Sequence, residues 1–148
     1  MSVNLYNGDC LEIMKSIPNE SVDLILCDLP YGTTRNKWDT PIDLESLWKE
    51  YERIIKDNGA IVLFAQTPFD KILGASNIKL LKYEWIWEKP QGTGHLNAKK
   101  MPLKNHENIL VFYKSPPHTF LKCWKESHTL VKVGEEVVIM GNKYLWLL

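Results

Sequence analysis

No excess of charge of either sign marks this 148-residue sequence: eighteen Lys and Arg balance eighteen Asp and Glu. A global field that would draw the molecule onto nucleic acid is therefore absent, and any such contact must come from a local patch. Cysteine is scarce. Cys10, Cys27 and Cys123 are widely separated, odd in number and part of no CxxC or Cys/His cluster, so neither a disulfide framework nor a metal site is expected. No apolar run approaches membrane-spanning length, and no basic segment followed by an apolar run opens the chain. The expectation is a soluble, cytoplasmic protein with no membrane partner. Internal repeats and low-complexity segments are also lacking. The apolar share, 45%, suffices for one domain with a real core, not for two.

What is there reads as alternating strands and helices. Residues 1–7 form a short opening, possible as a strand, that turns at Gly8-Asp9. Leu11, Met14 and Ile17 then recur at helical spacing up to Pro18. Val22, Leu24, Ile25 and Leu26 make a near-continuous apolar run that suits a strand covered on both faces. Leu44, Leu47, Trp48, Tyr51, Ile54 and Ile55 fit the amphipathic template of a helix over 44–56, with Asp43 to cap it and Asn58-Gly59 to stop it. A second buried strand over 60–65 and a short helix over 68–75 follow. Strand, helix, strand with tight junctions predicts a parallel βαβ unit and hence an α/β sheet. Tyr83, Trp85 and Trp87 alternate with Glu84, Ile86 and Glu88, a strand period that places Trp85 and Trp87 in the core. Residues 89–106 read as a loop and 108–113 as a third apolar strand. Pro116-Pro117 suggests a boundary, dividing 1–115 from a tail over 116–148. In that tail, residues 130–133 and 137–140 flank Gly134-Glu135-Glu136 as in a hairpin, and the ending Tyr144-Leu145-Trp146-Leu147-Leu148 is unusually apolar.

The chemistry sits where the first buried strand runs into Asp28-Leu29-Pro30-Tyr31-Gly32. In open α/β sheets, ligands bind beyond the carboxyl ends of the strands. The exocyclic amino group of adenine or cytosine is a poor nucleophile, because its lone pair is delocalised into the ring. A carboxylate and a rigidly held backbone carbonyl can both accept its N–H bonds and direct the lone pair at an incoming methyl group. A neighbouring ring can stack on a base extruded from the duplex. Asp28, the Leu29 carbonyl held by Pro30, and Tyr31 supply these parts.

On this motif the sequence resembles the S-adenosylmethionine-dependent DNA amino-methyltransferases, in the permuted order that places the Asp-Pro-Pro-Tyr-type motif first. Asp-Leu-Pro-Tyr-Gly resembles a phage or prophage variant of it. Gly8-Asp9-Cys10-Leu11 resembles the family's early acidic turn. The segments 57–64, 83–89, 97–100 and 106–113 resemble the family's later ones, in order. The resemblance implies a Rossmann-like methyltransferase sheet, mostly parallel with an antiparallel strand near one edge. It implies methyl transfer to adenine N6 in DNA, since a Ser in place of Asp28 is more typical of cytosine-N4 enzymes; cytosine N4 is the alternative. Catalytic roles fall on Asp28, Leu29, Pro30 and Tyr31, and cofactor contacts on Asp9, Cys10 and Asp28. A nucleophilic cysteine belongs to methylation at ring carbon, so Cys27 reads as a small buried residue.

Two departures stand out. Leu29 replaces the first proline. The only Gly-x-Gly, Gly92-Thr93-Gly94, lies in a lysine-bearing loop with no following helix, so the glycine turn that cradles the cofactor's methionine end in the family has no counterpart. The chain is expected to lack the C-terminal cofactor-binding half, as a frameshift or truncation would produce. Three alternatives follow: an active enzyme, a non-catalytic remnant, and half of a split enzyme completed by a second polypeptide or second protomer. In the last two, the strand ending at Asp28 becomes an open sheet edge, prone to association. The loop over 89–106 carries Lys89, Lys99, Lys100 and Lys104 with no acid among them, together with His95 and His106. With Asn97, four of its members (Lys89, Lys99, Lys100 and Lys104) and His106 are the candidates for contact with DNA phosphates.

Overall fold

The computed structural model describes residues 4–32, 39–117, 137–141 and 144–147, the last two stretches by their backbone. In chain order the elements are β1 (Asn4–Asn7), α1 (Cys10–Met14), β2 (Val22–Asp28), α2 (Leu44–Ile54), β3 (Ile55–Ala65), α3 (Phe69–Ser76), β4 (Leu81–Thr93), a 3-10 turn (His95–Asn97), β5 (Lys104–Phe112), β6 (Val137–Gly141) and β7 (Tyr144–Leu147).

The centre is the expected βαβ unit. β2 and β3 pair in parallel, Leu24 opposite Ala60 through Asp28 opposite Phe64, and α2 makes the crossover. Asp43 caps α2 by accepting from Ser46 N at 3.0 Å, and the helix buries Leu47, Trp48, Tyr51 and Ile54. The helix ends earlier than its pattern predicts, at Ile54, and β3 begins at Ile55. Asn58-Gly59 therefore lies in an irregular early stretch of the strand rather than serving as the helix stop. A Cβ on Gly59 would sit 2.9 Å from the Asp23 carbonyl and 2.8 Å from the Ile55 side chain, so that close approach of strands requires glycine.

The sheet has seven strands in the order β1-β7-β6-β2-β3-β5-β4. It is mixed, not mostly parallel: β2 is parallel to β3 and β6, and the other four pairings are antiparallel. The physical reason is connection length. The helices α2 and α3 carry β2, β3 and β4 in one direction, whereas β5 and β7, which follow β4 and β6 directly in the chain, run against their neighbours. The expectation that β2 forms an open edge is also corrected, because β6 pairs along its other side. Residues 137–140 are a strand as expected. Its hairpin partner is β7; residues 130–133 lie outside the described residues.

The two faces of the sheet differ. One carries Ile25, Cys27, Ile61, Leu63, Leu110 and Phe112 and packs against Met14 of α1, the buried side of α2, and Phe69 and Leu73 of α3. Each such large side chain, fully buried, contributes about 1.5–3 kcal/mol. The opposite face holds a smaller cluster of Leu24, Ala60, Val62 and Val111. Tyr83, Trp85 and Trp87 lie on this second face, opposite Val111, Ile109 and Glu107. Trp85 and Trp87, expected in the core, are instead 42% and 47% exposed, and Tyr83 is 36% exposed. β4 is the edge strand, and no described helix packs over its rings. Among the described residues, no helix is long and apolar enough to cross a membrane.

Candidate active site

Asp28 ends β2 and shares its register level with Phe64 of β3. Phe64 in turn lies opposite Ile109 of β5, and Ile109 opposite Trp85 of β4, with Trp87 opposite Glu107 one step on. These residues enclose a cavity of about 410 Å³ lined by Asp28, Phe64, Trp87, Glu107 and Ile109, a size that accommodates a small ligand. Sequence reading finds Asp28 alone. Phe64 and Trp87 read as core, and Glu107 carries no local signal; only the strand register brings them together.

The turn after β2 is built from both sides. Leu29 buries its side chain in the helix-covered core, 3% exposed. The residue that departs from proline thus holds the turn by packing instead of by ring rigidity. Tyr31 stacks on Phe69 of α3, ring centroids 5.3 Å apart at 28°, and its hydroxyl donates to Asp28 Oδ1 at 2.6 Å. One face of the ring expected to meet a base is therefore occupied by Phe69. Gly32 has φ +67° and donates its N–H to the buried Asp39 carboxylate at 2.8 Å. A Cβ there would stand 2.6 Å from Pro41 Cγ. Asp39 and Pro41 close the turn, a role not legible from the motif itself.

Electrostatics follow from this packing. Partial burial of the Asp28 carboxyl raises its pKa above the ordinary carboxylate range, opposed by the Tyr31 hydrogen bond; Glu107 raises it further and Lys89 lowers it. Burial also pushes the Tyr31 phenol up, reinforced by Asp28, so the phenol stays protonated and donates. Cys27, 3% exposed, has its thiol pKa driven far up by burial, partly offset by its hydrogen bond with Tyr51. A thiol so held is not a nucleophile.

The lysines of the 89–106 segment divide into two pairs. Lys89 forms an ion pair with Glu107, their side chains 13% and 15% exposed. Lys104 Nζ donates to Gln66 Oε1 at 2.8 Å and to the Thr67 carbonyl at 3.3 Å, and Gln66 Nε2 donates to Glu107 at 3.4 Å. Lys89 and Lys104, expected at phosphates, are drawn inward because they neutralise and support a half-buried carboxylate. Lys99 and Lys100 are exposed, as are Asn97 and His106. His106 pairs opposite Glu88 on the strand.

Asp9 caps α1, accepting from Leu11 N at 2.8 Å. Cys10, the first residue of α1, is half-buried; burial and then Asp9 raise its pKa. It lies close enough to raise the pKa of Cys27 as well. The Asp9 turn and the end of β2 are thereby gathered at one end of the sheet.

A family model described as DNA methylase matches residues 22–140. The type II methyltransferase M1.MboII of Moraxella bovis is 27% identical over 158 aligned positions, covering 96% of this chain and 59% of that protein. The DNA adenine methyltransferase YhdJ of Escherichia coli is 28% identical, over 74% of this chain and 40% of its own length. Among solved structures, the cytosine-N4-specific PvuII DNA methyltransferase superposes with a TM-score of 0.61 at 18% identity, over 76% of this chain and 49% of that one. The chain therefore spans about three-fifths or less of the length of these relatives.

Proposed function

This chain belongs to the N6/N4 DNA methylase family, and from that premise we propose that its Asp28-Leu29-Pro30-Tyr31 turn serves methylation of the exocyclic amino group of adenine, at N6, in DNA. The observation that carries the reading is Asp28 at the carboxyl end of β2, bonded to Tyr31 and facing a cavity. Asp28 accepts one N–H bond of the amino group and the Leu29 carbonyl the other, so the nitrogen lone pair is turned out of conjugation. S-adenosylmethionine, when bound, supplies an electrophilic methyl group. Asp28 then takes the proton lost as the N–C bond forms, a task suited to a carboxyl with a raised pKa. The face of Tyr31 turned away from Phe69 is the one offered to the extruded base on this reading.

The described residues fit part of the methyl donor. Asp9 and Cys10 stand at the N-terminus of α1, gathered with Asp28 at one end of the sheet; they would hold its adenosine end. A structure of the Thermus thermophilus homologue TTHA0409, complexed with S-adenosyl-L-methionine, shares the fold at a TM-score of 0.56.

The assay is incorporation of labelled methyl groups into unmodified DNA. Incorporation lost on Asp28→Ala supports the mechanism; equal incorporation by that variant sinks it. Analysis of the product base distinguishes N6-methyladenine from N4-methylcytosine. A second reading is one half of a split enzyme. On that reading, incorporation appears only when a second polypeptide or second protomer completes the site. Micromolar, saturable binding of S-adenosylmethionine by the lone chain argues against a remnant.

A further inference from the structure

Between β4 and β5 the chain forms a compact knuckle. Its backbone is held by its own hydrogen bonds: Asn97 N to the Gly94 carbonyl at 2.9 Å, Ala98 N to His95 at 3.1 Å, and Lys100 N and Met101 N to Asn97 at 2.8 and 3.0 Å. At its tip Leu96 is fully exposed, 101%, and Met101 beside it is 50% exposed. A lone exposed apolar side chain is ordinary. Three further features make this one different. Lys99 and Lys100 follow it within four residues and make no ion pair among the described residues, and no acid lies between residues 89 and 106. The knuckle's stem is fixed at both ends, Lys89 to Glu107 and Lys104 to Gln66. And that stem carries Trp87 and Glu107, which line the cavity beside Asp28. The tip thus presents an exposed apolar side chain with two cations close by in the chain, on the connection between the two strands that line the cavity beside Asp28.

We infer that this knuckle is a wedge for duplex DNA: Leu96 enters the base stack at the gap left by the extruded base, while Lys99 and Lys100 hold flanking phosphates. The inference rests on the DNA methylation reading. Its physical basis is general. Extruding a base leaves two stacking faces bare, and an apolar side chain inserted there recovers part of the lost contact. Cations close by fix the depth of entry through the phosphates.

The test needs neither the recognition sequence nor a methyl donor. Anisotropy titrations compare a fully paired duplex with the same duplex carrying one abasic nucleotide, a ready-made gap. The full chain is expected to prefer the abasic duplex by about tenfold, since unstacking costs a few kcal/mol per step and the gap removes that cost. Leu96→Ala is expected to abolish the preference, and Leu96→Met to keep most of it. Joint replacement of Lys99 and Lys100 by Ala is expected to weaken binding to both duplexes equally and to flatten the salt dependence. A wild-type chain without the preference, or Leu96→Ala retaining it, overturns the wedge. Methyl incorporation that persists in that event leaves the methylation reading standing. A wedge preference without incorporation counts against catalysis by this chain, not against the wedge.

Discussion

The Tyr31 hydroxyl lies 2.6 Å from Asp28 Oδ1 and donates to it. One carboxylate oxygen is thereby fixed, beside the cavity that Asp28 lines. The bond also opposes the rise in Asp28 pKa caused by burial.

Tyr31→Phe keeps the ring on Phe69 but removes that donor. The charged carboxylate loses its hydrogen bond, so the Asp28 pKa is expected to rise further above the ordinary carboxylate range. Carbon-detected NMR titration of the Asp28 carboxyl reads this directly. An unchanged or lower pKa in the variant contradicts the role given to the bond. In methyl transfer, the acid limb of the pH profile is expected to move to higher pH by the same sign.

Lys89 and Glu107 are a pair whose members depend on each other. Lys89→Met or Glu107→Gln alone leaves a half-buried charge uncompensated and is expected to cost about 1–3 kcal/mol. The double variant should cost less than the sum, with a coupling of about 0.5–3 kcal/mol. Urea denaturation of the four proteins measures the cycle. Strict additivity would show that the ion pair contributes nothing to holding β4 and β5 beside Asp28.

Gly32→Ala places a Cβ at φ +67° and against Pro41. The left-handed conformation alone costs about 1–2 kcal/mol in an L-residue, and the 2.6 Å approach to Pro41 Cγ adds to it. A lower denaturation midpoint is expected, together with loss of the Asp28–Tyr31 geometry. Pro41→Ala in the same background should recover only the steric share, because the backbone strain remains. Full recovery would mean that φ is not the constraint.

Much of the frame was legible without coordinates. The apolar run 22–27 lies in β2, the amphipathic spacing of Leu47, Trp48, Tyr51 and Ile54 is α2, and the direct junction from α2 into β3 completes the parallel crossover. Those signals are local: periodicity and caps act within a few residues. The alternation of Tyr83, Trp85 and Trp87 was equally clear as a strand but misleading as to burial, because period two says nothing of what covers a face. Asp9, legible as a turn, proved to be the cap of α1.

The sequence by itself determined that Asp28, Leu29, Pro30 and Tyr31 follow a buried strand, and hence the kind of chemistry they can do. Tertiary structure alone decided which residues join them. Glu107 and Trp87 reach the Asp28 cavity through pairing across β2, β3, β5 and β4, and a slip of one residue would turn each to the other face. Likewise, nothing local separates Lys89 and Lys104 from Lys99 and Lys100. The first pair is drawn inward by Glu107 of β5 and by Gln66, just after β3, and charge is directed by what lies nearest in space.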